Sequence, residues 1–562
     1  MRYHIGLDVG GTFTDAVLTE GNRIVTFAKV RTSDDVLSGV IEALERIVAD
    51  VPPENIRRVT LSTTAVTNAI VENRAAKVDL FVIPGPGVDV SAGVFPVAPI
   101  VCGGYTDHRG VLTARTSRPA SYVRQSDIAA VSGKFSVRNP KAERELAISL
   151  GEDGYRFVSE GAALSGSLNF IRRTVSAYYN SAVYDAFASF REAIEAALRG
   201  RAIEAPVYIL KADGGALPIA DMAERPVESV FTGPAASVLG LKAIGAVPPG
   251  CVVAADIGGT TTDLSLWRDG EAVMARGGAS IRGYRSSVRS YHTVSIGVGG
   301  ESYVGFENGI FTVGPERRGQ SVALGGTEAT LGDALIASGR ASYGDVEAAA
   351  RAVGMLARRA GLDDVKKAAE CIVTTAVETI CRTIDDMIAE ENMKPVYEVK
   401  DVVCFTPFEP THLVGVGGTA DALAPLVAGR IGISHSIPPH APIVNALGAA
   451  FAVETRRLTV RVDTSDGVMS VPEFGLVMRT GIETMAELRE AAGHMLTERA
   501  NDGHDAAQET DGGRAGTERK AEYSAEDIEV IEEESVPVMR NRYTAGRVMT
   551  VTVQGKAGVR RE

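Results

Sequence analysis

Two copies of an eight-residue motif carry the residue types that bind phosphate. The first motif, Asp-Val-Gly-Gly-Thr-Phe-Thr-Asp, occupies residues 8–15, and the second motif, Asp-Ile-Gly-Gly-Thr-Thr-Thr-Asp, occupies residues 256–263. Paired glycines leave backbone N–H groups open to an anion because no Cβ stands in the way. Threonine hydroxyls add donors for phosphate oxygens. We therefore predict a phosphate-binding loop in each motif, formed by Gly10, Gly11, Thr12, Thr14, Gly258, Gly259, Thr260 and Thr261.

Each motif also begins and ends with an aspartate. Asp8 and Asp256 end apolar segments typical of buried strands, where a carboxylate can hold a hydrated Mg²⁺ that bridges phosphates. Asp15 and Asp263 close the motifs and are candidates for a catalytic base or for support of the metal ligands. One such motif alone fits a glycine-rich turn with capping threonines equally well. The pair favours a polyphosphate held between two parts of the chain.

A third glycine-rich segment, the glycine loop, reads Gly-Val-Gly-Gly-Thr-Ala at residues 415–420. It is a variant of the dinucleotide fingerprint, which needs an acidic residue about 20 positions later for the ribose. After Asp421 the next acidic residue is Glu454, so that interpretation fails, and no P-loop motif is present. We predict instead that a nucleoside lies on Gly417, Gly418 and Thr419.

The elements around the two motifs repeat as well. Apolar or alternating segments at 3–8, 14–19 and 24–30 predict three short strands, and Ser33 caps a predicted helix. Segments at 251–256, 263–267 and 272–275 predict the same three-strand pattern about 250 residues later. A repeated pattern of this kind is a signal of a duplicated fold. It makes chance an unattractive explanation for the eight-residue match.

The remaining pattern predicts an α/β protein in three parts. We expect a first lobe at 1–195 with an insertion at about 88–160, a second lobe at 196–455 with a helical subdomain at about 325–395, and a C-terminal region at 456–562 with a flexible segment at about 497–534. Further strands are predicted at 78–83, 207–210 and 402–405, further helices at 168–197, 345–394 and 420–427, and a terminal hairpin includes 549–553.

Composition excludes several classes of protein. The 562-residue chain has a formal net charge of −13, which argues against nucleic acid as a partner. It has no run of 18 apolar residues and no secretory leader, so we expect no membrane span and a cytoplasmic location. Its five cysteines are scattered without a CxxC motif, which argues against disulfides, structural zinc and iron–sulfur clusters.

The ordered motifs resemble the hydantoinase A / 5-oxoprolinase family, within the actin, Hsp70 and sugar-kinase superfamily. The resemblance covers about residues 1–455. Besides the two motifs, the family-like elements are T-T-x-x-T-N-A at 63–69, D-G-G at 213–215, R-P-V-E at 225–228, T-G-P-A at 232–235, S-I-G-x-G-G at 295–300 and V-G-P at 313–315. After V-G-P the family usually continues through D-P-G-P-A-C-Y, whereas this chain has a different segment at 316–324.

The resemblance implies a fold and an activity. It implies two actin-like (ribonuclease H-like) lobes with a nucleotide cleft between them, and use of Mg²⁺ and ATP to phosphorylate and open a cyclic amide or imide of the hydantoin or 5-oxoproline type. It implies a hydantoinase B-like partner and an oligomer. It assigns Asp8 and Asp256 to the metal. A ketone carboxylase subunit of the acetone or acetophenone type and an Hsp70-like regulatory ATPase are the alternatives. Thr63, Thr64 and Asn68 either face the substrate or cap a helix.

Overall fold

The computed structural model describes residues 2–32, 36–393, 406–508, 527–540 and 542–558. The cap predicted at Ser33 and the strand predicted at 402–405 lie outside these ranges. The mixed α/β class predicted from the sequence is confirmed. None of the helices in the described ranges is both long enough and apolar enough to cross a membrane.

The first sheet has six strands and contains the first motif. Tyr3–Val9 pairs antiparallel with Phe13–Glu20 and parallel with Ile56–Thr63, so the motif forms the turn of a central hairpin. All three predicted N-terminal strands are present. The strand order is Ala216–Pro218, Val207–Leu210, Ile56–Thr63, Tyr3–Val9, Phe13–Glu20 and Arg23–Arg31.

Helices cover this sheet and return the chain to it. The stretch predicted at 168–197 forms two helices that meet at Val183. The chain then adds Val207–Leu210 parallel to Ile56–Thr63, so the first sheet extends past the boundary predicted at 195/196. The helices are Val36–Val48, Ala65–Val71, Gly161–Leu164, Phe170–Ala182, Tyr184–Arg199, Ile219–Glu224 and Thr232–Ala243, with 3-10 turns at Pro53–Asn55 and Pro226–Ser229.

The predicted insertion is a small α/β unit. Asp79–Ile83, which we placed in the first core, is a central strand of a separate four-stranded parallel sheet. It pairs with Ile128–Gly133 and with Ile100–Val101, both drawn from the predicted insertion. The remaining elements are strand Phe157–Glu160, helix Lys141–Glu152 and the hairpin of Gly103–Thr106 with Leu112–Ser117.

The second sheet repeats the arrangement of the first around the second motif. Cys251–Ile257 pairs antiparallel with Thr262–Arg268 and parallel with His412–Val416. Gly415 and Val416 therefore belong to a strand, and the turn of the glycine loop is confined to 417–419. The other strands are Glu271–Ala272, Thr293–Ile296 and Ser434–Ser436, and small hairpins pair Ser280–Ile281 with Tyr284–Arg285 and Val304–Glu307 with Ile310–Val313.

The helices predicted after residue 325 are present. Those at 345–394 pack on the second sheet through a continuous apolar core. The helices are Leu331–Ala337, Val346–Arg359, Val365–Asn392, Ala420–Ile431 and Val444–Phe451, with 3-10 turns at Val322–Leu324 and Ala441–Ile443.

Helix Val444–Phe451 joins the two halves of the molecule. It packs on strand Tyr3–Val9 and on helix Thr232–Ala243 at very short range. A Cβ at Gly6 would lie 2.1 Å from the Ala446 carbonyl oxygen, and one at Gly240 would lie 2.0 Å from that of Val444. The absence of a side chain at these two glycines lets helix Val444–Phe451 pack closely on the first sheet and on helix Thr232–Ala243.

The C-terminal region is a five-stranded antiparallel sheet covered by helix Met485–Gln508. The terminal hairpin is confirmed. The flexible segment predicted at 497–534 begins inside this helix and ends inside a strand, with 509–526 outside the described ranges. The helix is ordered because Leu488, Ala492 and Leu496 pack against the sheet. The strand order is Leu476–Arg479, Val468–Val471, Arg457–Asp463, Tyr543–Gly555 and Ile528–Arg540, with a 3-10 turn at Pro472–Phe474.

Candidate functional site

A cavity of about 1880 Å³ is lined by both motifs and by the glycine loop. A pocket for one small ligand is usually ~300–1,000 Å³, so this cavity has room for more than one bound molecule. Of the residues singled out from the sequence, Asp8, Gly10, Gly11, Thr12, Asp15, Asp256, Gly258, Gly259, Thr260, Thr261, Asp263, Gly417, Gly418 and Thr419 line it.

The two motif turns have the same geometry and touch each other. The Gly10 N–H donates to the Phe13 carbonyl at 3.1 Å, and the Gly258 N–H donates to the Thr261 carbonyl at 2.9 Å. The hydroxyl oxygens of Thr12 and Thr260 lie 2.7 Å apart, one from each motif. The two predicted loops thus meet across the cavity, as a clamp requires.

Thr14 does not reach the cavity. Its side chain is fully buried, and its hydroxyl hydrogen-bonds to that of Thr32 at 3.1 Å. Thr262, at the matching position of the second motif, is also buried and donates to the Val298 carbonyl at 2.6 Å. Side chains alternate along a strand. The position before each closing aspartate therefore points away from the cavity, and the prediction that Thr14 donates to a ligand is wrong.

Four carboxylates converge on the cavity. Asp8 faces Asp15 across the first hairpin, and Asp256 faces Asp263 across the second. Burial raises the pKa of all four, and raises those of Asp15 and Asp263 to about 7. The negative charge of Asp256 raises the pKa of Asp263 further. One oxygen each of Asp8, Asp15 and Asp263 is buried without a hydrogen-bond partner. The cluster therefore has fewer donors than its carboxylate oxygens can accept from.

Asn445 connects the two halves of this cluster. Its side-chain amide hydrogen-bonds to the carboxylates of both Asp8 and Asp256, which opposes the rise in their pKa values. We did not predict this role. The available signal was that Asn445 is the only polar residue in the helix Val-Asn-Ala-Leu-Gly-Ala-Ala-Phe. Its position depends on packing between segments hundreds of residues apart, which the local pattern does not encode.

Lys29 supplies positive charge beside the carboxylates of the first motif. Its Nζ lies 2.7 Å from Asp15 Oδ2 and donates to the Pro442 carbonyl at 3.1 Å. Lys29 stands directly opposite Asp15 on the neighbouring strand. It too was missed by the sequence reasoning, because one lysine in an edge strand carries no distinguishing pattern.

The donor set fits a hydrated Mg²⁺ better than a metal centre made entirely of protein ligands. Within the described ranges, no group of three or more His, Cys, Asp or Glu side chains is arranged to hold a metal ion. Mg²⁺ commonly takes one or two carboxylates and completes its shell with water and phosphate oxygens. The unpartnered buried oxygen of Asp8, beside Asp256 and Asn445, suits that chemistry.

The glycine loop is built against the second motif. Gly417 has φ of +93°, and a Cβ there would lie 2.6 Å from Asp256 Oδ1. The Thr419 hydroxyl contacts the carbonyl oxygens of Ile257 and Gly258 at 2.9 and 3.1 Å. A Cβ at Gly418 would meet no atom within 4 Å. Gly417 and Thr419 therefore hold the loop in place, and Gly418 presents its open face to the cavity.

Glu301 lies beside the motif turns, and its carboxylate links the second half of the molecule to the first. Glu301 is buried and accepts from Arg31 Nη2 at 2.9 Å and from Arg317 Nη2 at 2.7 Å. Its backbone N–H donates to the Gly259 carbonyl at 2.5 Å. Sequence reasoning did not select these three residues, because they come from three separate segments.

The segment at 63–69 has two predicted roles, helix capping and contact with the substrate. Thr63 is fully buried, and its hydroxyl accepts from the Ala65 N–H at 3.1 Å. Thr64 and Asn68 line the cavity. The N-cap residue of helix Ala65–Val71 is Thr64, whose side chain makes no capping hydrogen bond, so the capping alternative is not met and Thr64 and Asn68 remain available to a ligand.

Comparison with known proteins identifies similar chains. The family described as Hydantoinase/oxoprolinase matches residues 173–457, and its N-terminal region matches residues 4–95. Caprolactamase subunit alpha from Pseudomonas jessenii is 26% identical over 477 residues, 77% of this chain and 67% of that protein. The 5-oxoprolinase 1 of Arabidopsis thaliana is 22% identical over 645 residues, 95% of this chain and 49% of that protein. The chain thus spans about half the length of this oxoprolinase.

Two solved structures are similar over nearly the whole chain. Nucleotide-free acetone carboxylase gives a TM-score of 0.72 at 16% identity, with 100% of this chain and 88% of that chain covered. The ATP-dependent caprolactamase of Pseudomonas jessenii gives 0.66 at 21% identity, with 98% and 87% covered. At these identities the likeness establishes a shared fold.

Proposed function

The chain belongs to the hydantoinase/oxoprolinase family, and from its cavity we propose that it is the ATP-using subunit of a cyclic amide hydrolase. The observation that carries the proposal is the meeting of two duplicated glycine-threonine turns over four carboxylates, at Thr12 and Thr260. Backbone N–H groups, hydroxyls and a metal-binding carboxylate pair are the groups a polyphosphate needs.

The proposed architecture is two actin-like lobes with the nucleotide between them. The equivalent hairpins and parallel third strands of the two sheets support it. We assign 2–243 to the first lobe, including the small α/β unit, 251–455 to the second lobe with its helical subdomain, and 456–558 to the C-terminal region. Lobe closure about the nucleotide is the expected motion.

Each motif residue has a proposed role. Asp8 and Asp256 hold a hydrated Mg²⁺, which neutralises phosphate charge when bound. Asn445 fixes the orientation of both carboxylates. The phosphates lie on Gly10, Gly11 and Thr12 of the first motif and on Gly258, Gly259, Thr260 and Thr261 of the second, and the adenosine lies on the open face of Gly418.

The chemistry follows from the weakness of an amide as an electrophile. Transfer of the terminal phosphoryl group to the amide oxygen breaks its bond to ADP and converts that oxygen into a leaving group. Water then adds at the activated carbon, and the ring C–N bond breaks as the nitrogen takes a proton, which leaves an acyl phosphate. A second water hydrolyses that acyl phosphate to a carboxylate and free phosphate. Asp15 and Asp263, with pKa values near neutrality, can accept the proton from the first water. The size of the cavity allows the amide to bind beside the nucleotide.

We also propose a B-type partner subunit and an oligomeric enzyme. The similar caprolactamase chain is by its name one subunit of a larger enzyme, which supports this proposal. The partner would complete the hydrolysis after this chain has activated the carbonyl and opened the ring.

ADP release measured with different substrates tests the proposed function. The chain, copurified with its partner, should form ADP when given hydantoin, 5-oxoproline or caprolactam. Turnover restricted to acetone or acetophenone with bicarbonate would favour the carboxylase alternative, which the fold of acetone carboxylase also accommodates. Turnover that ignores every small substrate and responds to a protein would favour a regulatory ATPase.

A further inference from the structure

One arginine stands beside the second motif turn and has no role in the proposal above. Arg317 lines the cavity with about a third of its side chain exposed. Its Nε and Nη2 lie 2.8 and 2.7 Å from Glu301 Oε2. Glu301 in turn bonds through its backbone to Gly259. The guanidinium is therefore held at a fixed place next to a predicted phosphate loop.

Several other cationic side chains also line the cavity. Lys29 is bound by Asp15 and by a backbone carbonyl. Arg172 lies against Gly277, and Arg285 against the carboxylate of Glu390. Arg317 differs from these three in that Glu301 joins it to the second motif turn.

The charge balance leaves Arg317 able to bind an anion. The single Glu301 carboxylate is shared by Arg31 and Arg317, so this trio carries a net positive charge. The four motif aspartates and a triphosphate are all acidic, and Lys29 offsets little of their charge. A guanidinium presents a planar fork of donors that matches phosphate oxygens, and a carboxylate on one side leaves its other N–H groups free to bind.

We propose that Arg317 binds the terminal phosphate of the nucleotide and that Glu301 is its positioning residue. The inference rests on the proposed nucleotide site and adds a specificity residue to it. Arg317 lies in the segment 316–324, where the chain departs from the family-like sequence, so its role does not follow from the resemblance.

Binding of two nucleotides to Arg317→Ala tests the inference without measuring turnover. Titration calorimetry with Mg²⁺ and a non-hydrolysable ATP analogue should show affinity about 10- to 100-fold below wild type, as for a lost charge-assisted hydrogen bond. Affinity for ADP should stay within about twofold, because ADP lacks the terminal phosphate. Glu301→Gln should give a smaller loss of the same selectivity.

Arg318→Ala is the matched control, since Arg318 is the exposed neighbour and pairs with Glu316 at 2.8 Å. It should bind both nucleotides like wild type. An Arg317→Ala variant that loses ADP and the analogue equally, or loses neither, overturns the inference. If that variant does not fold, Arg317→Lys replaces it and must show a selective loss for the analogue. A wild-type protein that binds neither nucleotide overturns the proposed function instead.

Discussion

The amide of Asn445 should control how tightly the site holds Mg²⁺. It hydrogen-bonds to Asp8 and Asp256, the proposed metal carboxylates, from opposite halves of the molecule. Asn445→Ala removes both bonds and leaves two buried carboxylates with fewer donors. Both should then be harder to ionise and less well oriented.

The size of the effect follows from the bonds lost. A hydrogen bond to a charged group contributes ~1.5–3 kcal/mol. Asn445→Ala loses two such hydrogen bonds, and water entering from the cavity would replace part of their contribution. We therefore expect a net loss of ~1.4–2.8 kcal/mol, or about 10- to 100-fold in Mg²⁺ affinity. Loss of a residue that orients metal ligands has a comparable effect in other proteins.

Titration of Mg²⁺ against nucleotide binding measures this loss directly. Asn180→Ala is the control, because Asn180 is buried and hydrogen-bonds to Ser159, Glu224 and Val227 away from the cavity. That variant should lose thermal stability and keep its Mg²⁺ dependence. An unchanged Mg²⁺ midpoint in Asn445→Ala, or an equal shift in Asn180→Ala, would refute the reasoning.

Three further predictions concern the same loops. The pKa of Asp263 is raised to about 7. Between pH ~4 and ~7 the folded state therefore keeps a proton that the unfolded state loses. The stability of the metal-free protein should fall as pH rises through that window. Asp263→Asn should make this fall smaller, since Asp15 still contributes to it, and parallel Tm–pH curves for variant and wild type would contradict the prediction. Gly417→Ala should lower the free energy of unfolding by ~2–4 kcal/mol, because residue 417 has a positive φ and its Cβ would contact Asp256. Gly418→Ala should lower it by less than ~1 kcal/mol. Equal Tm shifts in the two variants would count against the loop geometry. Thr12→Val should weaken nucleotide binding about 3- to 10-fold and Thr14→Val less than twofold by calorimetry, and the reverse order would show that Thr14 reaches the ligand.

Sequence reasoning succeeded where the signal is local. Each motif and its flanking strands lie within about 30 residues, so the hairpins and the meeting of two similar turns follow from repetition. The same reasoning failed at Thr14, because the motif gives residue types without the direction in which each side chain points. Alternation along the strand, applied from Asp15, would have placed Thr14 on the other face.

Sequence reasoning missed the features that depend on contacts between segments far apart in the chain. Asp79–Ile83 forms a sheet with strands from residues 100–160, and periodicity identifies a strand without its partners. Asn445 and Glu301 become functional candidates only when separate segments pack together. The helix through Gln508 was missed because residues 497–508 are mostly polar and lack the apolar periodicity that predicts a helix.

Equilibrium binding of Mg·ATP to wild type, Asp8→Ala and Asp256→Ala tests the central claim most directly. The account predicts tight binding to wild type and its loss in both variants, one from each half of the molecule, with each variant still folded by circular dichroism. Wild-type affinity in either variant would contradict a nucleotide clamped between the two motifs.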